Sequence, residues 1–471
     1  MREQSHSTSL GPSLATEKAE KGEIVSIYVD YNHPLLQLKR ALPWEAIREV
    51  MVRRWRAAGK NVDGKSGLSW DVSLYVPILA LMLVKHFNSR AMEAYLAESV
   101  VARVFISKQD DPTPQVRDHS NIARAYAALG EEGLKETNEL IVKESVRLGF
   151  GDPSVFSGDT TAQELPIGYP NEPGILRGMA QRCLRALGNL KKKGVQGVEP
   201  AIEQAKTVIR SVKEHHLFAK CKEEKQQILA RIIEETEHLM EQTTQVVKSI
   251  PRSTDRVKQG AINKLNTMKE VATRLIPQIM QWMTTGVVAK GKILHTGLTQ
   301  ARAIIRNKAG KRVEFGLQYL INRIGGGYLF GSLLLSSPDE SKMPLLSLVG
   351  YREIFGEKAV PELFVYDRGG YAQATLKKLA QEGVRKIGIQ PKGKGEWLVA
   401  GEDRERVRSE RGKMEGSIGT LKTEKYGFNK PKERKWEVLQ GTGQRSMLSL
   451  NLNKLMRDLA NSERRVKEAQ I

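Results

Sequence analysis

Residues 362–390 read ELFVYDRGGYAQATLKKLAQEGVRKIGIQ. ELFVYD (Glu362 to Asp367) and VRKIGIQ (Val384 to Gln390) are short apolar runs of the kind found in buried strands. Between them, YAQATLKKLAQEG predicts a helix of about three turns stopped by Gly383. Strand, helix, strand is a βαβ unit, whose two strands run parallel. Upstream, YLFGSLLL (Tyr328 to Leu335) predicts another buried strand, and PSVFSGDTT predicts one ending near Asp159. Downstream of Gly401, EDRERVRSERGKMEGSIGTLKTEKYGF predicts a charged segment, helical across its middle. The tail from Asn451 predicts a polar helix.

Around this core the chain is helical. Residues 1–30 are polar and predict weak order, ending in the apolar patch EIVSIYVDY. From Pro34 to Gly149 the pattern is helical throughout, with Pro43 opening WEAIREVMVRRW. LYVPILALMLV (Leu74 to Val84) is too short to span a bilayer and contains Pro77, so it reads as a buried helix. Two helices around Gly130 have the outline of a helix-turn-helix. An ordinary helical hairpin has the same outline and is the weightier reading, because the outline carries no fixed chemistry. Between Ile175 and Lys311 lie two amphipathic stretches. One runs from Leu229 to Ile250 and ends at Pro251; the other runs from Ile262 to Ile276 and ends before Pro277. They suit an antiparallel hairpin, and their heptads are not sustained enough to require a coiled coil.

Length and charge narrow the class. The chain has 471 residues, enough for about three domains. Lys+Arg exceed Asp+Glu by 75 − 54, a net charge of +21, which favours a polyanionic partner with nucleic acid first. Two cysteines, Cys183 and Cys221, cannot build a disulfide framework or a zinc site, and suit a reducing compartment. The polar start MREQSHSTSLGPS is unlike a secretory signal. GVVAKGKI (Gly286 to Ile293) and GIQPKGKG (Gly388 to Gly395) mimic phosphate loops but lack the hydroxyl that would bind magnesium, which argues against an ATPase.

Three acids stand where a metal site would need them. Asp159 and Asp367 close predicted strands, and Glu415 lies on the charged segment beyond the βαβ unit. Magnesium prefers hard oxygen ligands, and a pair of ions about 3.5–4 Å apart needs carboxylates converging from rigid elements. On a helix, Arg408, Arg411, Glu415 and Lys422 share one face, which offers a carboxylate for metal and cations for phosphate.

SGDTT, FVYDRGG and RGKMEGSIGTLKTEKYGFN resemble the three catalytic blocks of bacterial insertion-sequence transposases of the DDE type. Arg411, Glu415 and Lys422 stand as R-x3-E-x6-K, similar to the Tyr-Arg-Glu-Lys signature of one large group, with Arg408 at the tyrosine position. GKRVEFGLQYLINRIGGGY is similar to the block that precedes the middle strands in such enzymes. The resemblance covers about Gly151 to Asn429.

The resemblance implies a mixed α+β or α/β chain. Charge and helicity alone assign DNA binding to a helical domain at residues 31–150; the resemblance places an RNase H-like catalytic domain at 151–174 and 312–430, with a helical insertion at 175–311, and a helical tail follows at 431–471. The resemblance implies a transposase that cleaves transposon ends and passes the freed 3′-OH to target DNA without ATP. Two Mg²⁺ ions, with Mn²⁺ able to substitute, would be held by Asp159, Asp367 and Glu415. Arg411 and Lys422, joined by Arg408 and Lys392, would hold phosphates. Double-stranded DNA, as terminal repeats and target, is the implied partner. A homodimer would form the synaptic complex, and the protein would sit in the bacterial cytoplasm, at the nucleoid when bound. Two alternatives share the pattern: an RNase H-like metal nuclease without strand transfer, and a non-enzymatic DNA-binding relative, expected to have lost an acid. The insertion could hold DNA or a partner subunit, or simply brace the fold.

Overall fold

The computed structural model describes residues 14–18, 24–27, 29–62, 71–107, 118–251, 253–308, 311–335, 339–391, 393, 397–433 and 435–468. The chain divides into two compact units, Met1–Gln163 with Gln318–Ile471, and Glu164–Leu317.

The first unit opens with Leu14–Lys18 (β1) and Ile24–Ile27 (β2), paired antiparallel. Six helices follow: Pro34–Ala41 (α1), Trp44–Ala57 (α2), Val72–Lys85 (α3), Ser89–Glu98 (α4), Val100–Ile106 (α5) and His119–Arg147 (α6). In α2 the buried residues Ile47, Val50, Met51 and Trp55 recur at helical spacing, so one stripe meets the core. Asp71 caps α3 by accepting from the amides of Ser73 and Leu74, and nearly every side chain of that helix is buried. Gly130, at φ 67° and ψ −175°, breaks α6 into two segments, as the turn expected there requires. Among the described residues no single helix is long and apolar enough to cross a membrane. The α3–α4 pair reaches that length only across a 102° bend, and α3 is core.

The strands are Asp152–Glu164 (β3), Arg302–Lys308 (β4), Lys311–Gly325 (β5), Leu329–Leu334 (β6), Leu363–Tyr366 (β7) and Lys386–Ile389 (β8). They form one six-stranded sheet that runs β4-β5-β3-β7-β8, with β6 also paired to β5. The β3–β7 and β7–β8 pairs are parallel, as the βαβ reading requires, and β5–β6 is antiparallel. Gln373–Gln381 (α12) is the crossover between β7 and β8, and Met343–Phe355 (α11) precedes β7. Gly401–Leu421 (α13), Trp436–Leu439 (α14) and Thr442–Glu468 (α15) complete the unit. One hydrophobic core runs from Leu35 and Trp55 in the helices through Phe156, Phe330 and Phe364 in the sheet to Leu448 and Leu455 in α15. Phe156 anchors it, with ring centroids 4.9 Å from Tyr351 and 5.2 Å from Phe364.

The second unit holds Glu172–Lys192 (α7), Glu199–Phe218 (α8), Lys222–Ser249 (α9) and Arg256–Thr285 (α10), with β4 and the first half of β5. Its own core includes Leu176, Leu187, Val208, Ile232, Leu239 and Leu275. Helix α10 continues through Pro277 to Thr285, although the second amphipathic stretch was expected to end before that proline. Pro277 and Thr273, whose carbonyl loses its amide partner, are both exposed, so water can serve the freed oxygen. Cys183 is buried and Cys221 exposed, and both are free thiols.

Candidate functional site at the ends of the parallel strands

The site is built where β3 and β7 run side by side. Their register pairs Ser157 with Val365 and Gly158 with Tyr366, so Asp159 and Asp367 stand at the next level. Side chains alternate along strands. Val155 and Val365 pack with Val407 of α13, so Asp159 and Asp367 belong to the α13 side of the sheet. Asp367 follows β7 directly, as expected. Asp159 lies inside β3, which continues to Glu164 instead of ending at the acid.

Asp367 Oδ1 accepts from the Arg368 amide at 2.6 Å and from Arg411 Nη2 at 2.6 Å. Arg411 Nη2 is also 3.7 Å from Glu415 Oε1. The guanidinium thus stands between the second and third acids. Helix α13 is unbroken at Gly416 and Gly419, and Lys422 is its C-cap. Glu415 is 69% exposed at the rim of the site. Arg408 lies over the Trp397 ring at 5.7 Å, beside Arg404 at 5.5 Å. Lys392 lies outside the described residues.

Four features escape a sequence reading. Arg323 of β5 pairs with Glu410 of α13 at 2.7 Å, and both are nearly buried, which pins the helix carrying Glu415 to the sheet. Gly158 has no room for a side chain: a Cβ there would lie 2.7 Å from Ser347 Oγ and 3.0 Å from the Tyr366 ring. Glu340, a further acid, reaches Thr160 Oγ1 at 3.5 Å. Tyr366, 1% exposed, has its hydroxyl pushed far above the usual phenol range by burial and then by the carboxylates of Asp159, Glu340 and Asp367. No pattern in the chain announces any of these, because each joins segments far apart in sequence.

The donor set of Asp159, Asp367 and Glu415 is all hard oxygen, which suits Mg²⁺ or Mn²⁺. Their oxygens do not all lie within 4.8 Å of one another. Among the described residues the set that does is Glu93, Asp118 and His119, where His119 Nδ1 stands 3.1 Å from Glu93 and 3.0 Å from Asp118. Asp118 is there the N-cap of α6, and the trio is far in sequence from the three acids above. Compared with family models, with curated proteins and with solved structures, the chain finds no match in any of the three.

Proposed function

We propose that the first unit carries an RNase H-like catalytic core and that the protein is a metal-dependent DDE transposase acting on double-stranded DNA. One observation carries the reading: Asp159 and Asp367 stand side by side at the same level of adjacent parallel strands, and Arg411, from the helix bearing Glu415, is bonded to Asp367. Ligands of open α/β sheets gather at the carboxyl ends of parallel strands, where these acids stand. The strand order and the excess of basic residues support the same reading. In it, residues 175–311 are an insertion between the first two strands of the core.

A pair of Mg²⁺ ions bound there would supply a nucleophile at neutral pH and offset charge on the leaving 3′ oxygen. Asp159 and Asp367 would hold the ions from the sheet, and Glu415 from the helix. Arg411 would exchange a carboxylate for a phosphate oxygen as the DNA enters, because its fork geometry fits either partner. Lys422, two turns beyond Glu415 at the C-cap of the helix, would meet the same backbone. Arg404 and Arg408 over Trp397 offer two cations and an aromatic face, a combination that nucleic acid binds well. Synapsis of two ends would use a homodimer, and the work would take place at the nucleoid.

The test is end cleavage and strand joining by the full chain on DNA carrying the element's own terminal repeats, with Mg²⁺ or Mn²⁺. Asp159→Asn and Glu415→Gln are each expected to lose at least about a thousandfold in rate, on the scale of removing an essential catalytic group. Cleavage at the wild-type rate by either variant sinks the assignment. Cutting without any joined product leaves a nuclease in place of a transposase.

A further inference from the structure

The four helices of the second unit divide its charge unequally. Helices α7 and α10 each carry five Lys and Arg against one Glu, whereas α8 carries three against three and α9 four against six. Helix α7 lies beside α10, and α8 beside α9. One flank of the unit therefore has ten cations against two acids, a net +8, and the other seven against nine, a net −2. An even scatter of the chain's basic excess would not produce that contrast.

Pairing sharpens it. Across α8 and α9, Lys206 meets Glu203 at 2.6 Å and Arg231 meets Glu214. On the other flank the single acid of α7, Glu172, is taken by Lys292. Near the end of α7, Lys191 pairs with Glu199 at 3.3 Å and Lys193 with Asp255 at 2.9 Å. Arg177, Arg185 and Lys192 of α7, and Arg256, Lys264 and Arg274 of α10, are all exposed, and among the described residues none of them forms an ion pair. Arg177, Gln181, Arg185 and Lys192 follow one another at steps of four, four and seven, so they share one face of α7. Arg256, Lys264 and Arg274 fall within about a quarter turn of one another on α10. Burial, and then the charge of Arg185, lower the Arg182 guanidinium below its ordinary value, as expected where cations crowd without an acid between them. Helix α7 exposes no large apolar side chain, and α10 exposes Val257 and Met280 toward its opposite ends. The flank thus lacks the apolar centre of a protein–protein interface.

We propose that the α7–α10 flank is a docking surface for the phosphate backbone of double-stranded DNA. The inference rests on the reading of DNA as the substrate, and it gives residues 175–311 a task of their own. From Arg177 to Lys192 the α7 face runs about 22 Å, and a duplex carries one charge per about 1.7 Å of its axis, so about a dozen phosphates pass along it. Unpaired cations meet those phosphates without first giving up a carboxylate. The contact holds DNA of any sequence, because the backbone carries no base information.

Fluorescence anisotropy of the full-length protein on a random-sequence DNA duplex, titrated with salt, tests this. The Arg177→Gln, Arg185→Gln, Lys192→Gln triple variant keeps good helix formers on α7 and is expected to lower the slope of log K against log salt by about 2–3, with affinity down at least about tenfold. Lys264→Gln, Arg274→Gln on α10 is a second, independent variant, expected to lower the slope by about 2. Lys206→Gln, Arg210→Gln, Lys213→Gln on α8 removes the same charge as the first variant from the opposite flank and is expected to bind like wild type. If the α7 and α10 variants keep the wild-type slope, the inference fails while salt-dependent binding leaves DNA as the substrate. An equal loss in the α8 variant attributes the effect to net charge alone and also overturns the proposal. So does tighter binding of the wild type to phosphatidylserine vesicles than to the duplex, abolished in the α7 variant, which would make the flank a lipid-facing surface. A wild type with no affinity for duplex DNA removes both this inference and the reading beneath it.

Discussion

Gly158 sets the distance at which Asp159 is presented. The hollow its missing side chain leaves is filled by Ser347 Oγ, the Tyr366 ring and Asn322 Oδ1. Gly158→Ala forces α11 away from β3, and overpacking of that kind costs about 1–3 kcal/mol, to be read as a lower urea midpoint with the slope unchanged. A variant as stable as wild type shows that α11 yields freely there. His86 carries a different prediction. It caps α3 in the left-handed region at φ 58°, stands edge-on to Tyr426, and lies 3.3 Å from Asn453 Nδ2. Burial, and then the charges of Lys425 and Arg445, bring its imidazole down from 6.5 to about 4. The folded protein therefore binds this proton less readily than the unfolded chain. Stability from this group is whole above about 6.5, falls as pH drops through that window, and levels off below about 4. His86→Asn, which tolerates the same backbone, should flatten stability against pH across the window. An unchanged slope assigns the pH dependence to other groups.

Helix α13 shows at the scale of an element what can and cannot be read from residues. Its buried stripe is Asp403, Val407, Glu410, Met414, Ile418 and Leu421. Two of the six are acids, so the apolar periodicity that would announce a packed helix is absent, and the segment reads as charged and solvated. The acids are buried because cations from the sheet meet them: Lys386 with Asp403 at 3.1 Å and Arg323 with Glu410 at 2.7 Å. Helix α15 hides its packing similarly. Asn451 donates to the Leu329 carbonyl at 2.6 Å and Asn453 to that of Val84 at 3.0 Å, so a polar sequence lies in the core. By contrast, β7, α12 and β8 were legible because strands covered on both faces must be apolar throughout. Of the site, Asp367, Arg411 and Glu415 were legible through motif and helical spacing. The contact of Glu340 with Thr160 was not, because the two are 180 positions apart. Glu410→Ala strands the nearly buried Arg323 and should cost about 3–5 kcal/mol; Arg323→Ala should cost less, because Lys413 still meets Glu410 at 2.7 Å, and the Arg323→Met, Glu410→Leu double variant should recover most of the loss. Chemical denaturation of the three variants reads this directly. Single variants within about 0.5 kcal/mol of wild type mean that α13 is held by its apolar contacts alone.

At the scale of the whole molecule, each of the two units has a hydrophobic core of its own, and basic residues outnumber acidic ones. The helices of residues 34–147 share their core with the sheet, so a fragment ending near residue 150 would leave the apolar faces of α3 and α6 without the sheet and α15 that cover them. DNA affinity is therefore a property to measure on the full chain. A net charge of +21 cannot by itself identify a partner, but it makes a quantitative demand of the proposed one. Binding that neutralises phosphates releases counterions, and a protein making about 6–10 such contacts loses about 10³ to 10⁵ in affinity between about 50 and 200 mM salt. The full chain on double-stranded DNA should fall within that range, measured by fluorescence anisotropy. Arg408→Gln and Lys422→Gln, which leave the three acids untouched, should each lower the slope of log K against log salt by about 1. They should do so on any sequence, because a phosphate contact carries no base information. Affinity that barely changes with salt would mean that the positive charge serves another purpose. A normal slope left unaltered by both variants would keep DNA as the partner while moving its path away from α13, and the phosphates would then have to be sought on another face.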